Sequence, residues 1–226
     1  MSVLRVEQVS HRYDRREVLR GVDLTLTEQR IGIVGANGSG KSTLARMLNG
    51  LVEPTSGRVL VDGLDTRTSG AAVRRRVGFV FTDPDAQIIM PTVAEDVAFS
   101  LRRDKLGKAV VAARVVQALE RVGLAGHADH PAHLLSGGQK QLLALTSVLV
   151  TRPQVLVCDE PTTLLDLRNT RAVAALIASL PQQVVLVTHH LDAVAGFDRV
   201  VVLDDGVVVA DGLPQDALPA YRAIVG

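Results

Sequence analysis

The 226-residue chain has one cysteine, no tryptophan, two tyrosines and four phenylalanines. With Cys158 alone there can be no intrachain disulfide framework, which agrees with a reducing compartment. An excess of either charge is also missing. Lys and Arg number 25 against 24 Asp and Glu, a formal net charge of +1. Both signs are interspersed, so no basic face for nucleic acid is expected. Long apolar runs are absent too. A membrane span needs about 18 or more consecutive apolar residues, and Lys, Arg or Asp interrupts every stretch that begins like one. Met1-Ser2-Val3 leads straight into a strand pattern, so no secretory leader is expected.

Short apolar runs are what the chain has in quantity. Hydrophobic residues make up 47% of it, concentrated in stretches of Val, Ile and Leu of the kind that buried parallel strands require. The length suits one large α/β domain, or a core with a small subdomain inserted. Period-two alternation over 3–9 and 21–26 predicts antiparallel strands at the N-terminus. Apolar runs predict core strands at 30–34, 58–61, 77–81, 155–159 and 184–188, and a closing pair at 200–203 and 207–210 that turns at Asp204-Asp205-Gly206. Helical patterns cover 41–49, 91–102, 108–122, 138–150 and 168–180. The alternation implies right-handed crossovers and a mostly parallel sheet. A single domain over 1–226 is expected, with a helical subdomain inserted at about 88–150.

Gly35-Ala36-Asn37-Gly38-Ser39-Gly40-Lys41-Ser42-Thr43 fits G-x-x-x-x-G-K-[ST] between a predicted strand and a predicted helix. The glycines let successive backbone N–H groups point inward, and the helix adds its positive end. In such a loop the Lys41 ammonium meets the β- and γ-phosphates of ATP, and the Ser42 hydroxyl ligates Mg²⁺. Val155-Leu156-Val157-Cys158-Asp159-Glu160 is a buried strand ending in acid. Asp159 is placed to hold Mg²⁺ through water, and Glu160 to polarise an attacking water. Cys158 reads as a small packing residue. His127, His130 and His133 invite a metal reading, but Ala125-Gly126 and Pro131 break the helix that would align them.

Leu135-Ser136-Gly137-Gly138-Gln139, about 20 residues before Asp159, is identical to the signature motif of ATP-binding cassette (ABC) ATPases. The resemblance spans nearly the whole chain and implies the P-loop NTPase fold of that family. It also implies further roles. Tyr13 matches the aromatic residue that stacks on adenine, Asp166 in Thr163-Leu164-Leu165-Asp166 the D-loop, and His189 the switch histidine. In the family the signature faces ATP held by the phosphate loop of another subunit. Two nucleotides then lie between two cassettes, identical or not, and hydrolysis opens the pair.

Within the family, the absence of a fused membrane span argues against exporters. A single cassette without a coiled-coil insertion argues against translation and chromosome-maintenance factors. Because little sequence follows the closing strand pair, the regulatory domain of sugar importers is not expected. Val80-Phe81-Thr82-Asp83-Pro84-Asp85-Ala86-Gln87, followed by Pro91-Thr92-Val93-Ala94-Glu95-Asp96-Val97-Ala98-Phe99, resembles the energy-coupling-factor (ECF) importers. In those, this helix helps form the groove for a transmembrane coupling subunit, which works with a substrate-binding membrane protein. The resemblance implies a peripheral ATPase on the cytoplasmic membrane face. Thr82 departs from the pattern, because the family has a glutamine there that reaches Mg²⁺ and the attacking water. The Thr-Asp-Pro form with Ile88-Ile89-Met90-Pro91 is similar to the biotin-importer branch, with cobalt or nickel import as the alternative and a soluble non-transport ATPase further behind.

Overall fold

In the computed structural model, which describes residues 1–225, two sheets and seven α-helices account for most of the chain. In chain order the elements begin with β1 (Leu4–Tyr13), β2 (Arg16–Leu26), β3 (Arg30–Gly35), α1 (Lys41–Leu48), β4 (Ser56–Val61), β5 (Leu64–Asp65), α2 (Gly70–Arg76) and β6 (Val77–Val80). Then follow α3 (Val93–Ser100), α4 (Lys108–Arg121), α5 (Gly137–Leu149), β7 (Val155–Asp159), α6 (Leu167–Ser179), β8 (Gln183–Val187), β9 (Arg199–Asp204), β10 (Val207–Gly212) and α7 (Pro214–Val225).

The elements fall into two compact units. The first comprises 1–79, 154–160 and 180–226, and the second 80–153 and 161–179. The second therefore reaches beyond the 88–150 stretch that patterning alone marks out.

The first unit holds a four-stranded sheet of order β2-β1-β4-β5 and the larger sheet of order β10-β9-β3-β8-β7-β6. β1 pairs antiparallel with both β2 and β4. The neighbouring strands β9, β3, β8 and β7 are mutually parallel, and β10 closes the edge antiparallel to β9. β7 and β8 are buried at every residue, as strands covered on both faces must be. Ile33, Val187 and Asp159 lie level across three adjacent strands. The carboxyl ends of β3, β8 and β7 consequently open side by side, where ligands bind in open α/β sheets.

The second unit has its own core of Val93, Val97, Leu101, Leu119, Leu124 and Leu143. Two helix starts in it are capped reciprocally. Thr92 and Glu95 form a capping box at α3, and Ser136 and Gln139 another at α5. Asp96 is buried, accepting from Ile89 N, Met90 N and the Ser147 hydroxyl at 2.9, 3.1 and 2.8 Å. That one carboxylate fixes the Ile88–Pro91 segment against α5.

Sequence patterning and structure differ mainly at β1 and β2, which run longer than the alternation suggests. Register shifts after Val6 and Val9, with Gln8 at φ +48°, break the period while pairing continues to Tyr13. The helices α2 and α7 lie outside the predicted set.

Candidate functional site

The phosphate loop leaves β3 at Gly35 and enters α1 at Lys41. Gly40 has φ +100°, and a Cβ there would come within 2.7 Å of the Val18 carbonyl, so the turn excludes a side chain twice over. Lys41 is buried, and its ammonium donates to the carbonyls of Gly35 and Ala36 at 2.8 and 2.9 Å. Burial pushes its pKa down, opposed by the carboxylates of Glu160 and Asp159. The Ser39 hydroxyl is buried inside the loop without a hydrogen-bond partner among the described residues. Such an orphan suits a loop shaped to surround a polar ligand.

One turn into α1, the Ser42 hydroxyl donates to Asp159 Oδ1 at 2.7 Å, and Arg46 lies 3.6 Å from Asp159 Oδ2. Burial raises the pKa of Asp159, while the Ser42 hydrogen bond and Arg46 pull it down. A cation placed here would offset that burial, so the donor set of hydroxyl and carboxylate oxygens fits Mg²⁺. Glu160 follows with φ +48°, in the left-handed region that non-glycine residues rarely occupy. Its N–H is held by the Val187 carbonyl at 3.0 Å. His189 follows β8, and its Nδ1 lies 2.9 Å from Glu160 Oε2. An ionised carboxylate only accepts, so Nδ1 donates and Nε2 remains as a second polar atom.

Tyr13, Arg16, Asn37, Gly38, Lys41, Ser42, Thr43 and Glu160 line one cavity of about 380 Å³. The Tyr13 ring is half exposed and rests edge-on against His11, with centroids 4.6 Å apart. The first unit thus brings together Tyr13, the loop 35–43, Asp159, Glu160 and His189. Arg16 has no signal in sequence; it arrives because Tyr13 pairs with it across the β1–β2 turn. Arg46, four residues after Ser42 on the same helix face, is another residue that sequence reasoning misses; the i, i+4 spacing is the signal that could have found it.

Ser136, Gly137, Gly138, Gln139, Asp166 and Thr82 belong to the second unit. Asp166 caps α6, accepting from Asn169 N and Asn169 Nδ2 at 2.8 and 2.9 Å. A Cβ on Gly138 would lie 2.7 Å from Asn169 Nδ2 and closer still to Cγ and Oδ1. The second signature glycine is therefore required by Asn169, a residue that sequence reasoning passes over. Thr82 opens the loop after β6, and the same loop is bolted to α5. Gln87 accepts from Phe81 N at 3.2 Å and donates to the Ala144 carbonyl at 3.0 Å. Gln141 donates to the Phe81 carbonyl at 3.3 Å, and Lys140 bridges both oxygens of Asp85 at 2.8 and 3.0 Å. Both halves of the Gln87 amide are thus engaged inside the second unit.

The ABC transporter family model matches residues 19–163. This chain belongs to the ABC transporter family. As an ABC protein it binds ATP and is an ATPase, and its relatives place it in the ECF type. A relative from Deinococcus radiodurans, whose name specifies an ABC transporter ATP-binding protein and no solute, is 57% identical over 220 residues, 97% of each chain. A biotin transport ATP-binding protein of Rhizobium etli is 45% identical, covering 98% of both chains. An ECF transporter ATP-binding protein of Symbiobacterium thermophilum is 46% identical over 93% of this chain and 79% of its own. Among solved structures, CbiO1 of Clostridium perfringens, part of the ABC transporter complex CbiONQ, superposes with a TM-score of 0.84 at 34% identity, covering 98% of this chain and 92% of that one. No helix among the described residues is long and apolar enough to cross a membrane.

Proposed function

We propose that this ABC subunit powers biotin uptake through membrane partners, sitting peripherally on the cytoplasmic face of the membrane. The observation that carries the solute is the loop Thr82-Asp83-Pro84 with Ile88-Ile89-Met90-Pro91, held in place by the buried Asp96. A similar chain named for biotin transport supports it. Beside that loop, α3 and the residues after it form a groove of about 440 Å³, lined by Met90, Ala98, Phe99, Leu106 and Val111 and edged by Glu95, Arg102 and Lys105. Its apolar floor and charged rim suit an amphipathic segment of the transmembrane coupling subunit, with the solute bound by a further membrane protein.

In the chemical step, Lys41 neutralises the β- and γ-phosphates, and the loop 35–43 donates its N–H groups to them. Tyr13 stacks on adenine. Ser42 and Asp159, with Thr82 as a further ligand, would hold Mg²⁺, which supplies charge neutralisation at the phosphates when bound. Glu160 takes a proton from water as the water attacks the γ-phosphorus and the bond to the bridging oxygen breaks, giving ADP and phosphate. His189 fixes the Glu160 carboxylate and presents Nε2 toward the developing charge. Ser136, Gly137, Gly138 and Gln139, with Asp166, belong to the face that closes on a second ATPase subunit. Leu164 and Leu167, 64% and 66% exposed beside Asp166, are the kind of large apolar residues that a partner covers.

Glu160→Gln tests the catalytic reading. It should bind ATP, hydrolyse it roughly 10²–10⁴-fold more slowly, and accumulate as a closed dimer by light scattering in Mg-ATP. Rapid turnover in this variant would remove Glu160 from the role of base. Uptake of labelled biotin against cobalt and nickel, in cells carrying this subunit with its membrane partners, tests the solute. Metal uptake without biotin uptake would overturn that assignment.

A further inference from the structure

The three histidines ahead of the signature turn are not equivalent. His127 ends the short 3-10 turn Ala125–His127 and is partly buried, with Nε2 3.2 Å from Gln139 Nε2. The orientation of the Gln139 amide follows from its other contact. The Ser136 backbone N–H can only donate, and it does so to Gln139 Oε1 at 2.9 Å. The carbonyl half therefore faces Ser136, and the NH2 half faces His127. An amide NH2 only donates, so His127 Nε2 must be unprotonated and accept, leaving the ring proton on Nδ1. Nδ1 is buried with no hydrogen-bond partner among the described residues. A purely apolar ring would fill this place without burying an unpaired N–H. Packing alone does not account for an imidazole here; the acceptor at Nε2 does.

We propose that His127 is a positioning residue for the signature turn. It locks the Gln139 amide in the orientation that caps Ser136, and so preorganises the Gly137 and Gly138 N–H groups for the phosphates of a nucleotide held by a second subunit. His127 touches no nucleotide itself. The inference rests on the two-subunit reading given above. It assigns a role to a histidine that neither the nucleotide cavity nor the signature pattern includes. His130 lies edge-on to His127 with ring centroids 4.9 Å apart.

The test uses the full chain in a Glu160→Gln background, comparing His127→Phe and His127→Gln with the parent. ATP-driven dimerisation is followed by light scattering, and nucleotide binding to the dilute subunit by a fluorescent ATP analogue. His127→Phe should weaken dimerisation about tenfold, as expected for a lost cap contact, with nucleotide affinity of the single subunit unchanged. His127→Gln, which restores an acceptor oxygen, should return dimerisation to within about threefold of the parent. Unchanged dimerisation in His127→Phe overturns the proposal. So does a parallel fall in single-subunit nucleotide affinity, which marks a general folding role. If the parent does not dimerise in ATP and the assembled complex holds only one ATPase subunit, the two-subunit reading fails and this proposal falls with it. Where the complex holds two, its kcat with Glu160 restored decides, and an unchanged kcat in His127→Phe removes the positioning role.

Discussion

A methyl group on Gly138 would collide with Asn169, and the collision can be dissected. The atoms in its way are Nδ2 at 2.7 Å and, closer, Cγ and Oδ1, all beyond the Asn169 Cβ. Relief needs a shift of the Asn169 side chain by about 1 Å, against the hydrogen bond from its Nδ2 to Asp166. Overpacking of this kind costs about 1–3 kcal/mol. Replacing glycine by alanine inside a helix returns roughly 0.5–1 kcal/mol. Gly138→Ala should therefore destabilise the chain by about 1–2 kcal/mol, which for a domain of this size lowers Tm by roughly 2–8 °C. In an Asn169→Ala background the obstructing atoms are gone, and the same substitution should be neutral or slightly stabilising. The assay is urea or thermal unfolding of the four nucleotide-free proteins, which separates packing from any contact the glycine makes with nucleotide. Equal costs of Gly138→Ala in both backgrounds would show that Asn169 is not the reason for glycine at this position.

Lys41→Ala should nearly abolish ATP hydrolysis in the assembled complex, because the fixed charge at the phosphates is lost; near-normal steady-state turnover contradicts the phosphate-site assignment. Asp159→Asn should raise the Tm of the nucleotide-free protein at neutral pH. Burial lifts the folded pKa of Asp159 above its unfolded value, so the cost of the ionised form is present above the folded pKa and is relieved as pH falls through it. The advantage of Asn should shrink in acid, and a variant less stable at every pH refutes the argument. Thr82→Ala should lower partner-stimulated hydrolysis more than ATP affinity, and Thr82→Gln should stay within about tenfold of the parent, about 1.4 kcal/mol in barrier. ATPase rates with and without membrane subunits check both, and an unchanged stimulated rate in Thr82→Ala makes it a bland loop residue.

Features legible in the sequence are those whose cause is local. The phosphate loop carries its glycines and Lys41 in one run, β7 is a pure apolar stretch ending in acid, and the signature residues 135–139 form one unbroken motif. Helix α2 was not legible because it buries only Val73, leaving no apolar stripe to read. Helix α7 contains Pro219, which argues for a break, yet Ala217, Leu218 and Tyr221 are buried and hold it in place. Arg16, Asn169 and His127 matter through partners 3 to 31 residues away in sequence, at Tyr13, Gly138 and Gln139. Pairing across space leaves no mark on a single chain. The ABC resemblance supplied roles for Tyr13, Asp166 and His189 that spacing alone does not.

The bolt between the loop after β6 and α5 sets a rule for building hybrid ATPases. Gln87 and Gln141 grip the two polar groups of one peptide residue, Phe81, from opposite directions, and Lys140 with Asp85 closes the joint outside. A graft that moves the signature helix from one cassette into another without residues 81–87 would leave the buried Gln141 amide facing foreign backbone. The natural cut points for exchange therefore lie upstream of Phe81 and downstream of Ala144, with loop and helix transplanted as a single cartridge.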